Sequence, residues 1–80
     1  METRVAILAI LVQDQDSVAK VNEVLHEYSN AIIGRMGIPY RAKQMNIISI
    51  VFDASVDLIN TVAGKLGRLD GVTAKAVYAQ

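Results

Sequence analysis

Residues 4–13 read RVAILAILVQ and contain the longest apolar run of the chain, from Val5 to Val12. In a β-strand, alternate side chains point to opposite faces, so residues 5, 7, 9 and 11 share one face and residues 6, 8, 10 and 12 share the other. Both sets are apolar, and such a strand requires cover on both of its faces. Eight residues are too few to cross a bilayer and suit a buried strand.

The remaining strands and helices follow from hydrophobic periodicity. Apolar residues recur at helical spacing in two segments and alternate at strand spacing in three others. The predicted elements after the first strand are a helix at 17–29, a strand at 31–35, a strand at 46–52, a helix at 56–66 and a strand at 72–78. Their order, βαββαβ, is that of two split βαβ units.

Capping residues mark the start and end of both predicted helices. Asp16 or Ser17 can accept hydrogen bonds from the free N–H groups of the first helix, and Ser55 occupies the equivalent place before the second. Gly67 or Gly71 can end the second helix by adopting a positive φ. The pattern S-V-x-x-[V/I]-N occurs at residues 17–22 and again at 55–60, which supports the division into two similar halves.

These elements predict an α+β fold, the ferredoxin-like βαββαβ sandwich, for a single domain over residues 1–80. Its four-stranded antiparallel sheet has the order 4-1-3-2 and carries two helices on one face. The first and third strands, the most hydrophobic ones, take the central places. The other sheet face then stays bare and apolar in a monomer, which is typical of an interface. We therefore expect a homodimer or homotetramer that packs through the open sheet face, through edge strands, or both.

Composition excludes several classes of function. The chain has 80 residues, no cysteine and one histidine, so neither a disulfide framework nor a cysteine-containing metal site can form. Eight basic residues balance eight acidic ones, and a net charge of zero argues against direct nucleic-acid binding. We expect no metal, no cofactor and no membrane association. The N-terminus lacks the features of a signal peptide, which favours a cytoplasmic protein.

Candidate catalytic groups are few and isolated. His26 lies beside the apolar stripe of the first helix without a second His or Cys one turn away. Asp14 and Asp16 suit a turn before a helix, and residues 64–71, GKLGRLDG, close a helix rather than open one as a phosphate loop does. The chain is therefore not expected to be an enzyme, and a small enzyme of ferredoxin-like fold is the least favoured reading.

Residues 34–45 read GRMGIPYRAKQM and form the best candidate for a ligand site. No acidic residue occurs between positions 28 and 52, so this segment is locally basic. Arg35 and Arg41 can each bind a carboxylate or phosphate through a planar guanidinium group, and Gly37 lets the backbone approach a ligand closely. The alternative is an ordinary hairpin loop in which the basic residues serve solubility, with Pro39 interrupting regular strand pairing.

Four pieces of the chain carry a family resemblance: METRVAILAILV, SVAKVNEVLHEYSNAIIGRMGIPYR, NIISIVFDAS and GKLGRLDGV. Together they make the chain similar to the iron-only (FeFe) hydrogenase system regulator family over essentially its whole length. The resemblance implies an ACT-like subunit that is also similar to the C-terminal domain of nickel-responsive regulators. Nickel itself does not transfer, because those sites need several histidines and a cysteine. Because the first predicted strand begins at about residue 4, we expect no counterpart of the separate DNA-binding domain of the nickel regulators.

Two hypotheses of function follow. In the first, a homo-oligomeric regulatory module binds a small anionic or amino-acid-like effector at a subunit interface near Arg35, Gly37 and Arg41. In the second, the chain is a protein-interaction module that acts through a maturation or transcription partner.

Overall fold

The chain folds into a four-stranded sheet with two helices, and a computed structural model describes residues 2–79. The elements are β1 (Arg4–Val12), α1 (Val18–Glu27), β2 (Ile32–Tyr40), β3 (Met45–Ala54), α2 (Val56–Gly67) and β4 (Val72–Tyr78). All strand pairs are antiparallel, and the sheet order is β2-β3-β1-β4. The predicted ferredoxin-like α+β sandwich is confirmed, since this order is 4-1-3-2 read from the other edge.

One face of the sheet forms the core together with both helices. Even-numbered residues 6–12 of β1 and 48–54 of β3 are buried, and α1 and α2 add the apolar side chains that recur on one stripe of each helix. The helix side chains buried in this core are Val21, Leu25, Ile59, Val62 and Leu66. Helical periodicity therefore places an apolar stripe of each helix on the same sheet face.

The opposite face, which we call the open face, carries no helix. Strand register assigns to it the odd-numbered residues of β1, β3 and β4 and the even-numbered residues 34–40 of β2, because paired residues share a face. Its large apolar side chains keep 38–67% of their surface exposed: Val5, Ile7, Leu11, Met36, Ile38, Tyr40 and Val77. They amount to on the order of 600 Å² of apolar surface, the size of the largest patches on ordinary monomers.

Strand β2 is longer than the sequence pattern predicts. The prediction ended it at Arg35 and placed Pro39 in a loop, whereas pairing with β3 continues to Tyr40, opposite Met45. Proline is tolerated here because β2 is an edge strand, where one row of backbone groups needs no strand partner. The basic segment is therefore mostly strand, and its turn shrinks to residues 41–44.

The two helix starts use related serines in different ways. Ser55 accepts a hydrogen bond from the N–H of Leu58 at 3.2 Å, which confirms its predicted capping role. Ser17 makes no capping bond and is 4% exposed; its hydroxyl donates to the carbonyl of Asp70 at 2.7 Å. Asp14 caps the short turn before α1 instead, accepting from the N–H of Asp16 at 3.0 Å.

Two glycines lie at the end of α2 and in the turn after it, and two asparagines connect the helices to the edge strands. Gly67 is the last residue of α2, while Gly71 adopts a φ of 68° in the following turn. The asparagines of the repeated pattern each accept a hydrogen bond from an edge strand. Asn22 accepts from Arg35 of β2 at 2.6 Å, and Asn60 accepts from the hydroxyl of Tyr78 of β4 at 2.9 Å.

Candidate functional site

A concavity of about 700 Å³ lies at one end of the sheet. We call it the hairpin-end concavity, because the end of the β2–β3 hairpin forms one wall and the loop after β1 forms the other. Its volume is in the range of small-molecule sites. Its polar side chains are Gln13, Asp14, Gln15, Arg41, Gln44 and Asn46, and Pro39, Tyr40 and Met45 complete the lining.

Backbone contacts fix the loop wall of this concavity. The N–H of Gln13 donates to the carbonyl of Gly71 at 2.7 Å, which ties the end of β1 to the turn before β4. A Cβ atom added to Gly71 would lie 2.8 Å from the Cβ of Asp14, so only glycine fits against this loop. Across the concavity, the amide of Asn46 donates to the side-chain oxygen of Gln15 at 3.3 Å and connects the two walls.

Gln44, on the hairpin wall, adopts an unusual backbone conformation. With φ 51° and ψ 48° it is left-handed, and among residues 2–79 no other residue except glycine has a positive φ. Left-handed backbone costs about 1–2 kcal/mol for a residue that bears a Cβ. Glycine would fill the turn at lower cost, so the glutamine keeps a carboxamide at the concavity at the expense of stability. Such outliers cluster at functional sites.

The charges of the hairpin-end concavity are of both signs. Arg41 offers a guanidinium group and Asp14 a carboxylate, and four carboxamides supply donors and acceptors around them. Neither charged group has an ion-pair partner within 4 Å in residues 2–79, where the one such pair is Lys65–Glu27. A small molecule with a carboxylate or phosphate group can therefore pair with Arg41, and an ammonium group on it would suit Asp14.

Arg35 lies at a different place. It points to the helix-covered side of β2, as does its strand partner Ile50, and its guanidinium donates to Asn22 of α1. It lines a second, shallower concavity of about 460 Å³ together with His26 and Ser29. Arg35 and Arg41 are six residues apart along an extended chain, which separates their Cα atoms by roughly 20 Å.

Gly37 lines neither of these two concavities. It lies in β2 and pairs with Ile48 of β3, and a Cβ atom added to it would contact nothing within 4 Å. The three residues predicted to form one ligand site thus lie apart within a single chain, with Arg35 and Gly37 in β2 and Arg41 in the turn that follows it. Sequence reasoning missed Gln13, Gln15, Gln44 and Asn46. Clustered amides next to Arg41 were the available signal, but only the fold brings residues 13–15 to the hairpin.

The hairpin-end concavity is continuous with the open face. Tyr40 and Met45 form the last strand pair of β2 and β3, line the concavity, and share a face with the pair Ile38–Ile47. A second molecule that covered the open face would therefore lie beside the concavity. The sequence pattern does not predict the contribution of β2 to the open face, because it places the end of this strand at residue 35.

Potential metal ligands do not cluster within residues 2–79. No three His, Cys, Asp or Glu side chains gather there as a metal site would require. His26 is exposed on α1. The pKa of Lys65 is raised by Tyr28 and by the Glu27 carboxylate, which link the two exposed helix surfaces. In the same range, no helix is long and apolar enough to cross a membrane.

Comparison with known proteins gives the family. The family model "TM1266-like: Iron-only hydrogenase system regulator, putative" matches residues 4–76. The chain is also similar to a solved structure of the uncharacterized protein TM1266 from Thermotoga maritima. That match has 39% sequence identity and a TM-score of 0.94 and covers 99% of this chain and 100% of the other. No curated protein matches the chain. With most of its length matched, this chain belongs to the TM1266-like family of iron-only hydrogenase system regulators.

Proposed function

We propose that this protein is a non-enzymatic, homo-oligomeric regulatory module that binds a small effector in the hairpin-end concavity. The observation that carries the proposal is the continuity of this concavity with the open face through Tyr40 and Met45. An effector bound there would contact the hairpin next to the surface through which copies associate. Binding can therefore change assembly, which is how a module without catalytic groups can transmit a signal.

The chemistry of the concavity defines the effector class. Arg41 favours an anionic group, Asp14 favours an added ammonium group, and the amides favour a polar body. An amino acid satisfies all three, which agrees with an ACT-like module, and a related small anion satisfies the first and the third. Arg35 already donates to Asn22, so in this proposal it holds β2 against α1 and stays outside the site.

Thermal shift measurements with amino acids, small dicarboxylates, nucleotides and metal ions test effector binding. A ligand at 100 times its dissociation constant stabilises the folded state by about 2.7 kcal/mol. In a domain of this size, that corresponds to a rise in Tm of roughly 10 °C or more. Arg41→Gln should abolish the rise, while Arg35→Gln, a matched loss of one positive charge, should retain it. No shift with any of these compounds would contradict the proposal.

Gln44 supplies a second variant for the same measurement. Gln44→Gly relieves the left-handed strain and should raise Tm without ligand, by the equivalent of about 1 kcal/mol. It also removes a carboxamide from the concavity, so the ligand-induced rise should shrink. A variant that gained stability and kept the full ligand response would show that Gln44 serves the turn alone.

The second candidate function is a protein-interaction module. The open face favours it, because an apolar surface of this size can also receive another protein. Co-purification from anaerobically grown cells distinguishes the two proposals. Recovery of the chain bound only to itself supports the homo-oligomer. A stoichiometric partner that is lost when Ile38 is changed to lysine would support the alternative.

A further inference from the structure

The open face has a pattern of side-chain sizes that fits a second copy of the same face. Strand register arranges it in rows that cross the sheet. One row, which we call the small row, consists of Met36, Ser49, Ala9 and Lys75, with its two small residues on the central strands. The next row, which we call the large row, consists of Ile38, Ile47, Leu11 and Thr73. At the centre of the face, the small row thus forms a groove next to a ridge formed by the large row.

From this pattern we infer that two copies pack open face to open face, about a two-fold axis that crosses the strands between the small row and the large row. The inference deepens the proposed function and rests on it, since it names the partner and the contact. Each large row then lies over the partner's small row. Leu11 faces the partner's Ala9, and Ile47 faces the partner's Ser49. A two-fold interface requires such reciprocal contacts.

Size complementarity continues toward the edge strand. The same axis places the row of Gly34 and Val51 over the partner's Tyr40 and Met45. A glycine opposite a tyrosine, like alanine opposite leucine, lets two sheets reach the usual separation of about 10 Å without voids. The Tyr40–Met45 pair enters the contact, so the hairpin-end concavity opens at the margin of the dimer.

The charges of the open face select this axis over its neighbours. Asp53 pairs with Val5 at the end of the face away from the hairpin. An axis through the small row would bury Asp53 against the partner's Met45. An axis on the side of the small row away from the large row would bury Asp53 against the partner's Ile47. An axis along the strands would set it against Val5. A buried unpaired carboxylate is strongly destabilising, and among these four axes only the inferred one leaves Asp53 outside the contact.

The available surface is adequate for a stable contact. A standard interface buries about 800 Å² on each partner. The exposed apolar side chains of the open face other than Val5 supply on the order of 500 Å² of this, before the polar rim is counted. The rim includes Lys75 and Thr73 on β4, which remain at the border of the face. This composition, apolar at the centre and polar at the edge, is typical of protein interfaces.

A size swap tests the inferred contact. Ala9→Leu should push against the partner's Leu11, and Leu11→Ala should leave a void, so each change should raise the dissociation constant of the dimer at least about tenfold. The double variant A9L/L11A restores one large and one small side chain at each contact. It should return the dissociation constant to within about threefold of the unchanged protein, a strong non-additivity. Val5→Ala, at the excluded end, is the matched control and should leave the constant unchanged.

Sedimentation over a range of dilutions, with circular dichroism to confirm the fold, gives the dissociation constants. Ala9 and Leu11 lie outside the helix-covered core, so the variants should fold. A double variant that dimerises no better than the weaker single variant overturns the inferred axis. The proposed function survives that result if the protein still oligomerises and its effector still raises Tm. A protein that stays monomeric at about 100 µM overturns both the axis and the oligomeric part of the proposed function.

Discussion

The helix-covered face and the open face are built from the same strands and differ most clearly on β1. Leu8 is 0% exposed and its neighbour Ile7 is 46% exposed, although both are aliphatic and lie in the centre of the sheet. Burial under the helices makes Leu8 part of the core that stabilises one chain. Exposure leaves Ile7 free to stabilise an assembly. Aliphatic residues thus contribute to folding on one face and, in the proposed assembly, to association on the other.

The largest effect that would test this contrast comes from the pair Leu8→Ala and Ile7→Ala. Leu8→Ala removes a fully buried side chain and should lower the free energy of unfolding by about 2–5 kcal/mol. Ile7→Ala should cost the isolated chain less than about 1 kcal/mol, because its site is already hydrated. Urea titrations at low protein concentration provide both values. Equal losses would show that the two faces are buried alike under those conditions.

A charge on the open face should weaken assembly more than it destabilises the folded chain. Ile47→Lys places an ammonium group in the centre of the proposed contact and should raise the dissociation constant of the oligomer by about 100-fold or more. Ala19→Lys makes the same change of charge on the exposed surface of α1 and serves as the control. Light scattering measures the oligomeric state of both lysine variants. An oligomer that tolerated lysine at position 47 would place the interface elsewhere.

A smaller effect is expected on the helix-covered side from Ser17→Ala. Ser17 is the buried polar residue of the described core, and its hydroxyl satisfies the carbonyl of Asp70. Its loss should lower the free energy of unfolding by about 1–2 kcal/mol. Ser55→Ala removes the helix cap of the other half and should cost about 1 kcal/mol. Thermal unfolding compares them, and a larger loss at Ser55 would contradict the assigned role of Ser17.

The smallest effect is expected on the outer helix surface. Lys65 has its pKa raised by Tyr28 and by Glu27, so it contributes stability that is fully present below its ordinary pKa of 10.5. That contribution is lost as the pH rises through the higher value in the folded state. Lys65→Gln should therefore lower Tm slightly at pH 7 and less at pH 11. A difference that grew with pH would contradict the assigned direction of the shift.

The element order and the central strands could be predicted from the sequence, while the site could be predicted only in part. The helix stripes and the two apolar runs have strong periodicity, and β4 was bounded correctly at Val72–Tyr78. Pro39 misled the prediction at β2, because its effect depends on whether the strand is at an edge. Arg41 was named from local charge. Its neighbours across the concavity come from residues 13–15, which are distant in sequence and meet it only in the folded chain.

The sequence by itself determined that β1 is apolar on both faces and that both faces of the sheet therefore need to be covered. Tertiary structure alone decided which face the helices take. Odd and even residues of β1 are equally hydrophobic, so periodicity cannot distinguish them, and register with β3 and β4 fixes the outcome for the whole sheet. Once the even-numbered residues lie under the helices, the odd-numbered ones are exposed together, and an exposed apolar face is a physical consequence of the fold.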